Sequence, residues 1–294
     1  MAMKINLIKS FLLIFSATNL FISCEKDITV NLPKQKQQYV VEGYIENGLP
    51  AYVMLSKTAD YFSPVDSAAL QQYMVKNASI VISDGDITDT LLQVDPSIGY
   101  FYFSPKIIGQ TGKSYSLRII TPDNELLTAE TKMLPAVPLD SVWFKIQEGK
   151  DSLGYVWAHL KDPDTLGNCY RWFAKRLNKD KMFIAPSGSV FEDKFINGKG
   201  FDFAYNRGHL PNSTAVEDEN EEAGFFKAGD TIMVKFCTIT EDSYKFWRQA
   251  ESQAGSSGSP FGSPAVFPTN IKGGIGIFEA FNPTFYTVIA KKPD

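Results

Sequence analysis

Short strand-forming runs recur along most of the chain at intervals of about 8–12 residues, and turn-forming residues separate them. In "QYVVEGYIENGLPAYVMLSKT", Gln38–Thr58, two runs rich in Val, Tyr and Ile flank the turn Asn47–Pro50, which is a hairpin pattern. Further runs follow at Ala78–Ser83, Thr88–Val94, Gly99–Phe103, Ser114–Ile120 and Leu126–Met133. No helical period intervenes, so the spacing predicts an all-β chain folded as antiparallel β-sandwiches of the immunoglobulin or fibronectin type.

"LPAVPLD", Leu134–Asp140, interrupts this series with two prolines. Because proline cannot donate to a sheet ladder, a domain boundary is expected here. We therefore predict an N-terminal β-sandwich domain over residues 39–134 and a C-terminal β-sandwich domain over residues 139–294.

One segment of the second domain follows a helical period, which predicts a helix at about 241–254. Thr240 is a suitable N-cap for it, and Glu241 and Asp242 favour the positive end of the helix dipole. The chain then finishes with two predicted strands that break at Asn282–Pro283.

The segment 1–23 has the composition of an export signal. Its only charges are Lys4 and Lys9, and the apolar block Phe11–Phe15 follows them. A membrane-spanning helix needs ~20 apolar residues, whereas Ser16–Asn19 interrupt this one. We predict a cleaved signal peptide rather than a membrane span.

A cysteine stands at the end of this segment, in the sequence Phe21-Ile22-Ser23-Cys24. The arrangement resembles the lipobox of bacterial lipoproteins, in which a small residue precedes the cysteine that is lipidated. Only a thiol can form the thioether to diacylglycerol, and two acyl chains make anchoring stable. We predict lipidation of Cys24, followed by a polar tether over residues 24–38. The alternative is a secretory signal with an incidental cysteine.

The charge balance limits the classes of partner. Cleavage before Cys24 would remove two lysines from a chain whose formal net charge is −4, so the mature form is predicted to be mildly acidic. Nucleic acids and anionic lipid head groups both require clustered Lys and Arg. We therefore predict that neither is a partner, and that the protein contacts outer-membrane lipid through the acylated Cys24.

The chain has two histidines, whereas carboxylates are plentiful. His159 alternates with Trp157 in a predicted strand, which favours a packed or hydrogen-bonded imidazole, whereas His209 lies in a loop. The zinc-protease, nucleophile-elbow and paired-cysteine spacings do not occur, so we assign no catalytic residue and predict no cofactor. Cys169 and Cys237 could pair or could remain free buried thiols, and the sequence leaves both possibilities open.

"DPDTLGN" resembles part of a calcium loop, because Asp162, Asp164 and Asn168 place oxygen atoms close together. The terminal Glu of the twelve-residue calcium pattern is missing. We favour a turn between two strands and keep Asp162 and Asp164 as weak metal candidates. The acidic residues between 217 and 222 are interpreted as a solvated loop, with calcium or a basic partner as the alternative.

The segment Ser256–Gly274 is rich in Gly, Ser and Pro, and a loop of this length is unusual inside a compact domain. Aromatic side chains on such a loop can stack on a ligand or fill a groove on a partner. We predict Phe261, Phe267 and Asn270 as binding residues. The alternative is that the loop packs its phenylalanines against the sandwich.

Glycines crowd the end of this loop at Gly273, Gly274 and Gly276. A phosphate-binding loop leads from a strand into a helix, whereas these residues lead into another strand. We therefore predict that they permit a bulge or a close crossing of two backbones.

Four segments together carry a family resemblance. They are the Cys24 border, "YVVEGYIENGLPAYVMLSKT", "GKSYSLRI" and "SPFGSPAVFPTNIKGGIGIFEAF", of which Pro260–Phe278 is the most specific. The chain resembles the Bacteroidota outer-membrane lipoproteins grouped as domain of unknown function 4249 (DUF4249). The resemblance implies an envelope lipoprotein that accompanies a TonB-dependent transporter, and it supplies no catalytic residue. Glu25 and Asp27 resemble an export signal to the cell surface in that group.

Three functional hypotheses follow. We favour a non-enzymatic binding or docking protein, fastened by lipid to the outer membrane and accessory to a β-barrel transporter or another envelope complex. The alternative is a surface carbohydrate-active hydrolase that uses two carboxylates, which the sequence does not single out. A purely structural surface protein is the third hypothesis.

Overall fold

The computed structural model describes residues 36–59, 71–94, 100–208, 224–256 and 266–292. Several predicted features lie outside these ranges: the signal peptide, Cys24, His209, the acidic residues 217–222 and Phe261. The described residues from Gln37 onward belong to one compact unit.

The first half of the chain forms eight strands, close to the runs that the sequence predicts. They are β1 (Tyr39–Glu46), β2 (Pro50–Lys57), β3 (Ser79–Ser83), β4 (Thr88–Thr90), β5 (Leu92–Gln93), β6 (Tyr102–Ile108), β7 (Ser114–Ile120) and β8 (Leu126–Lys132). β1 and β2 form the predicted antiparallel hairpin, with Tyr39 opposite Lys57.

The second half contributes the remaining strands and one long helix. They are β9 (Ser141–Ile146), β10 (Leu153–Lys161), β11 (Cys169–Arg176), β12 (Val190–Glu192), β13 (Gly200–Tyr205), β14 (Phe226–Lys227), β15 (Thr231–Ile239), α1 (Glu241–Ser256) and β16 (Ile275–Ile289). A short 3₁₀ helix, Asp193–Phe195, follows β12. The predicted helix at about 241–254 is confirmed, and the Ser243 backbone N–H donates to the Thr240 hydroxyl at its start.

These strands form three sheets. The largest has eight strands in the order β12-β11-β15-β16-β1-β2-β6-β5. One four-stranded sheet has the order β4-β3-β7-β8, and the other has the order β13-β10-β14 with β9 also paired to β10. Each smaller sheet packs against part of the large one, which confirms the all-β sandwich prediction.

The last strand belongs to both sandwiches. Phe278 and Ala280 lie in the N-terminal core beside Val41, and Val288 lies in the C-terminal core beside Trp172. Successive side chains of a strand point to opposite faces, and these three residues are all even-numbered. Both cores therefore lie on the same face of the large sheet. The division into domains at 39–134 and 139–294 stays a prediction, and β16 shows that the two sandwiches share a strand.

The expected break at Asn282–Pro283 is wrong, because β16 runs without interruption from Ile275 to Ile289. Its first part pairs in parallel with β1 as far as Phe281, and its second part pairs antiparallel with β15 from Asn282 onward. Pro283 lies two residues beyond Phe281, the last residue that pairs with β1, so its missing N–H removes no hydrogen bond from the paired residues of that ladder. Among the described ladders, the parallel pairing of β1 with β16 is the exception to the antiparallel pattern.

Gly276 explains how β16 comes so close to β1. It has a φ of 115°, and a Cβ atom there would lie 2.0 Å from the carbonyl oxygen of Val41. A Cβ on Gly273 would likewise lie 2.5 Å from the carbonyl oxygen of Leu126 in β8. The predicted close crossing of backbones at this glycine cluster is therefore confirmed.

Helix α1 covers part of the opposite face of the large sheet. A third apolar cluster forms there, in which Tyr244 of the helix packs with Cys237, Ile239 and Phe281. Phe281 is odd-numbered, so it points away from the two sandwich cores. The helix is thus held by the reverse face of the sheet.

Candidate functional site

The outward face of the sheet that contains β9, β10 and β13 carries aromatic side chains where polar ones would suffice. On β10, Val156 and Ala158 point into the C-terminal core, and the alternate residues Tyr155 and Trp157 point outward. Trp143 of β9 stands directly opposite Trp157 in the register. The outward aromatic residues are all half-buried and belong to none of the three apolar clusters.

The two tryptophans form the centre of this face. Their ring centroids are 6.3 Å apart and the ring planes meet at 21°. Tyr155, two residues before Trp157 on β10, stacks on Phe225, with ring centroids 5.2 Å apart and ring planes at 15°. We call Trp143, Trp157, Tyr155 and Phe225 the outer aromatic surface. They form a row across a sheet whose backbone hydrogen bonds hold it rigidly.

Polar groups border one end of the outer aromatic surface. The Nδ1 atom of His159 lies 2.6 Å from Oδ1 of Asp202, and its Nε2 atom lies 3.8 Å from Oδ2 of Asp140. All three side chains are open to solvent, since 37% of the histidine and 53% of each carboxylate is exposed. The ammonium group of Lys145 lies 5.2 Å from the centre of the Trp157 ring. Acceptors and donors therefore stand beside an apolar surface.

Small residues on β13 leave space beside these groups. Ala204 stands opposite Trp157 on the side away from Trp143. A Cβ atom on Gly200 would lie 2.9 Å from Nε2 of His159, so glycine gives the imidazole its room. A larger side chain at either position would fill the space next to the outer aromatic surface.

The prediction for His159 as a hydrogen-bonded imidazole is confirmed by its contact with Asp202. This partner was not predictable from the sequence, because Asp202 is 43 residues away and meets His159 only through the β10–β13 register. The outward alternation of Tyr155, Trp157 and His159 was the one available signal.

The predicted binding loop is only partly described, and its described residues make contacts within the fold. Phe267 packs on Phe246 of α1, with ring centroids 6.1 Å apart. The side-chain amide of Asn270 accepts from the N–H of Phe278 at 2.9 Å and donates to its carbonyl oxygen at 2.7 Å. Asn270 also borders a groove of about 630 Å³ between β7, β8 and the start of α1. Binding by Phe261, Phe267 and Asn270 stays a prediction.

The metal candidates have contacts that explain their position. Asp162 is buried, accepts from the hydroxyl of Tyr170 at 2.5 Å and from the N–H of Gly198 at 3.3 Å. Asp164 lies beside Gly198. No three His, Cys, Asp or Glu side chains of the described ranges are grouped as metal ligands would be.

The two described cysteines are free and buried. They lie on neighbouring strands, where Cys169 stands opposite Ile239 and Cys237 stands opposite Arg171. Burial raises the pKa of each thiol to about 12, which keeps both in the unreactive thiol form. Of the two possibilities left open by the sequence, the structure has the free thiols.

A buried charge pair lies beneath α1, on the reverse face of the large sheet. Nη1 of Arg171 is 3.8 Å from Oε1 of Glu279, which also accepts a hydrogen bond from Nε1 of Trp247 at 3.0 Å. The guanidinium carbon is 3.6 Å from the centre of a Trp247 ring. Burial raises the pKa of Glu279 and lowers that of Arg171. This cluster lies between α1 and the reverse face of the large sheet.

In the part of the chain that the structure describes, no helix has both the length and the apolar character needed to cross a bilayer.

The family model for a domain of unknown function, DUF4249, matches residues 25–287. The chain belongs to the DUF4249 family. This DUF4249 chain has no significant match among curated protein sequences.

Two solved structures illustrate distant similarity to this DUF4249 chain. A segment of two fibronectin type-III domains from chicken tenascin is 7% identical, with a TM-score of 0.20, and the match covers 70% of this chain and 92% of that one. A mutant of Salmonella alpha-2-macroglobulin is 8% identical, with a TM-score of 0.25, and the match covers 90% of this chain and 15% of that one.

Proposed function

We propose that this DUF4249 protein is a lipid-anchored binding protein of a bacterial outer membrane, fastened through Cys24 and accessory to a TonB-dependent transporter or another envelope complex. The observation that carries the binding role is the outer aromatic surface. Antiparallel sheets that face solvent usually alternate apolar residues inward with polar residues outward. Here the outward positions hold Trp143, Tyr155 and Trp157 instead, on strands whose inward residues already supply the core.

The anchoring role is supported by the sequence before the folded unit. Phe21-Ile22-Ser23-Cys24 places a thiol directly after an apolar segment, and a polar stretch leads from there to β1. A diacylglycerol on that sulfur would add about 0.8 kcal/mol of membrane affinity for each buried methylene group, so the anchor needs no apolar surface on the folded unit.

Mass spectrometry of the protein purified from its native membrane tests the anchor. The expected N-terminal peptide begins at Cys24 and carries a diacylglycerol. A Cys24→Ala variant should remain unprocessed or be recovered without detergent, whereas Cys169→Ala should leave processing unchanged. An unmodified N-terminus in the wild-type protein would refute the anchor.

Gentle detergent extraction followed by affinity purification tests the accessory role. The wild-type protein should retain an outer-membrane β-barrel protein in amounts comparable with its own. If the protein is instead recovered alone, both from detergent and after chemical cross-linking in whole cells, the accessory role is wrong.

A further inference from the structure

We infer that the outer aromatic surface is a carbohydrate-binding site, which takes one edge of an oligosaccharide chain across Trp143, Trp157, Tyr155 and Phe225. This inference deepens the proposed function and rests on its binding role. It does not depend on the lipid anchor or on the transporter.

The first argument concerns the shape of the site. The side chains of the aromatic row are half-buried on the sheet face that points away from the C-terminal core, and no apolar cluster of the described residues encloses them. A lipid or a compact apolar ligand would need an enclosed pocket to bury most of its surface. A sugar ring differs, because its axial C–H groups form one flat apolar face while its hydroxyl groups project around the rim. A ligand of that form can use a flat aromatic surface without being enclosed.

The second argument concerns the polar groups beside the tryptophans. The imidazole of His159, held 2.6 Å from Asp202, and the carboxylate of Asp140 stand at one end of the row. Carboxylates accept hydrogen bonds from hydroxyl groups, and Lys145 can donate to a hydroxyl or ring oxygen. A ring of sugar hydroxyls matches this mixture of acceptors and donors.

The third argument separates sugars from other flat ligands. Nucleic-acid bases also stack on aromatic side chains, but their phosphates need basic neighbours. Here two carboxylates, Asp140 and Asp202, stand at one end of the surface, and single ammonium groups lie over two of its rings, Lys145 at Trp157 and Lys150 at Phe225. At the end that carries Asp140 and Asp202, an uncharged saccharide avoids the repulsion that a phosphate would meet.

The fourth argument concerns length. Trp143 and Trp157 form one aromatic pair, and Tyr155 with Phe225 forms a second pair two residues away along β10. Two adjoining aromatic pairs can contact successive sugar rings of a chain. An oligosaccharide should therefore bind more tightly than its monosaccharide.

The test is isothermal titration of the lipid-free full-length mature chain with cellohexaose, maltohexaose, mannohexaose and xylohexaose, alongside glucose and the RNA homopolymer poly(A). At least one hexasaccharide should bind saturably and quench tryptophan fluorescence, and should bind at least about tenfold more tightly than glucose. Trp157→Ala and Trp143→Ala should each weaken that binding about tenfold or more, because tryptophans at the centre of an interface carry much of its affinity.

Two further variants separate loss of the site from loss of the fold. Asp202→Asn keeps the size of an exposed side chain and should weaken binding severalfold while the thermal unfolding midpoint is unchanged. Phe195→Ala removes an aromatic ring that is 82% exposed and lies off the outer aromatic surface, and it should bind as the wild type does. Folding of each variant is checked by circular dichroism.

Three outcomes would overturn the inference: no saturable binding of any hexasaccharide, binding that folded Trp157→Ala and Asp202→Asn variants retain in full, or a preference for poly(A). The proposed function fails differently. If the wild-type protein binds no sugar but co-purifies with a β-barrel partner, this inference is wrong and the accessory role is supported. If the protein binds sugar but lacks the lipid, the anchor is wrong and this inference is supported.

Discussion

Replacing Gly276 by alanine should destabilise the protein by more than backbone strain alone. The residue has a φ of 115°, which an L-residue adopts only at a cost of roughly 1–3 kcal/mol. In addition, the new Cβ atom would lie 2.0 Å from the carbonyl oxygen of Val41 and 2.9 Å from its nitrogen. Both are backbone atoms of the central strand β1, so no flexible side chain can move aside.

Relief of this overlap requires β16 to move away from β1. The two strands are paired from Val40–Ile275 to Glu46–Phe281, and each ladder hydrogen bond that lengthens costs about 1 kcal/mol net. Together with the backbone strain, the expected loss is at least about 3–5 kcal/mol. Since the unfolding free energy of a domain is only about 5–15 kcal/mol, the variant should be close to unfolding.

Gly229→Ala is the matched control, because Gly229 has a φ of 100° and a Cβ atom there would meet no heavy atom within 4 Å. It should lose only the strain of about 1–3 kcal/mol. Urea unfolding of the lipid-free chain, followed by tryptophan fluorescence and analysed with a common slope, measures both losses. If Gly276→Ala yields no folded protein, Gly274→Ala provides a milder test, since its Cβ would lie 2.9 Å from the carbonyl oxygen of Tyr39. Equal losses for Gly276→Ala and Gly229→Ala would refute the close-approach argument.

Three further predictions concern buried polar groups. Burial raises the pKa of Glu279, so the stability that its protonated form supplies is full below about pH 4.5 and is lost as the pH rises through the folded-state pKa. In urea titrations at increasing pH, the unfolding free energy of the wild type should therefore fall relative to that of Glu279→Gln. Parallel pH dependences of the two proteins would contradict this. Asn270→Ala should lower the free energy of unfolding by roughly 1–3 kcal/mol, because the N–H and the carbonyl group of Phe278 lose the amide as a partner. A urea midpoint equal to that of the wild type would show that the amide is dispensable. In the native lipid-free Cys24→Ser protein, Cys169 and Cys237 should resist a thiol reagent, since both thiols are buried and burial raises their pKa values to about 12. Both should react fully in urea. Rapid labelling of the native protein would show that the apolar cluster beneath α1 opens.

The parts of the fold that the sequence predicts are those governed by neighbours along the chain. Alternation predicts the hairpin of β1 and β2, and the Thr240 cap with its acidic first turn predicts α1. The parallel pairing of β1 with β16 was not predictable in this way, because nearly the whole chain separates the two strands and no turn dictates their direction. The predicted strand break at Asn282–Pro283 is wrong for the same reason. Whether a strand tolerates this proline depends on which neighbouring strand pairs with β16 at that point, β1 or β15, and this is set by the tertiary structure.

The predicted binding loop shows a different limit. Asn270 is a polar residue in a long loop, which favours a binding role, yet its amide hydrogen-bonds to both backbone groups of Phe278, as a neighbouring strand would. The prediction for the glycines is confirmed because it depends only on which backbone angles and approaches glycine permits. A polar side chain in a loop can meet either a ligand or the protein's own backbone, and only the tertiary structure distinguishes the two.

The outer aromatic surface is partly predictable from the sequence and partly dependent on the tertiary structure. The sequence shows that Tyr155, Trp157 and His159 share one face of a strand, but not whether that face is the core. The answer comes from Val156, Ala158 and Leu160, which fill the C-terminal core from the other face and leave the aromatic residues outside. The register then brings Trp143 and Asp202 to either side of that strand. Because the inward residues supply the core, the outward tryptophans are available for a ligand, and we expect replacing them to alter binding more than it alters stability.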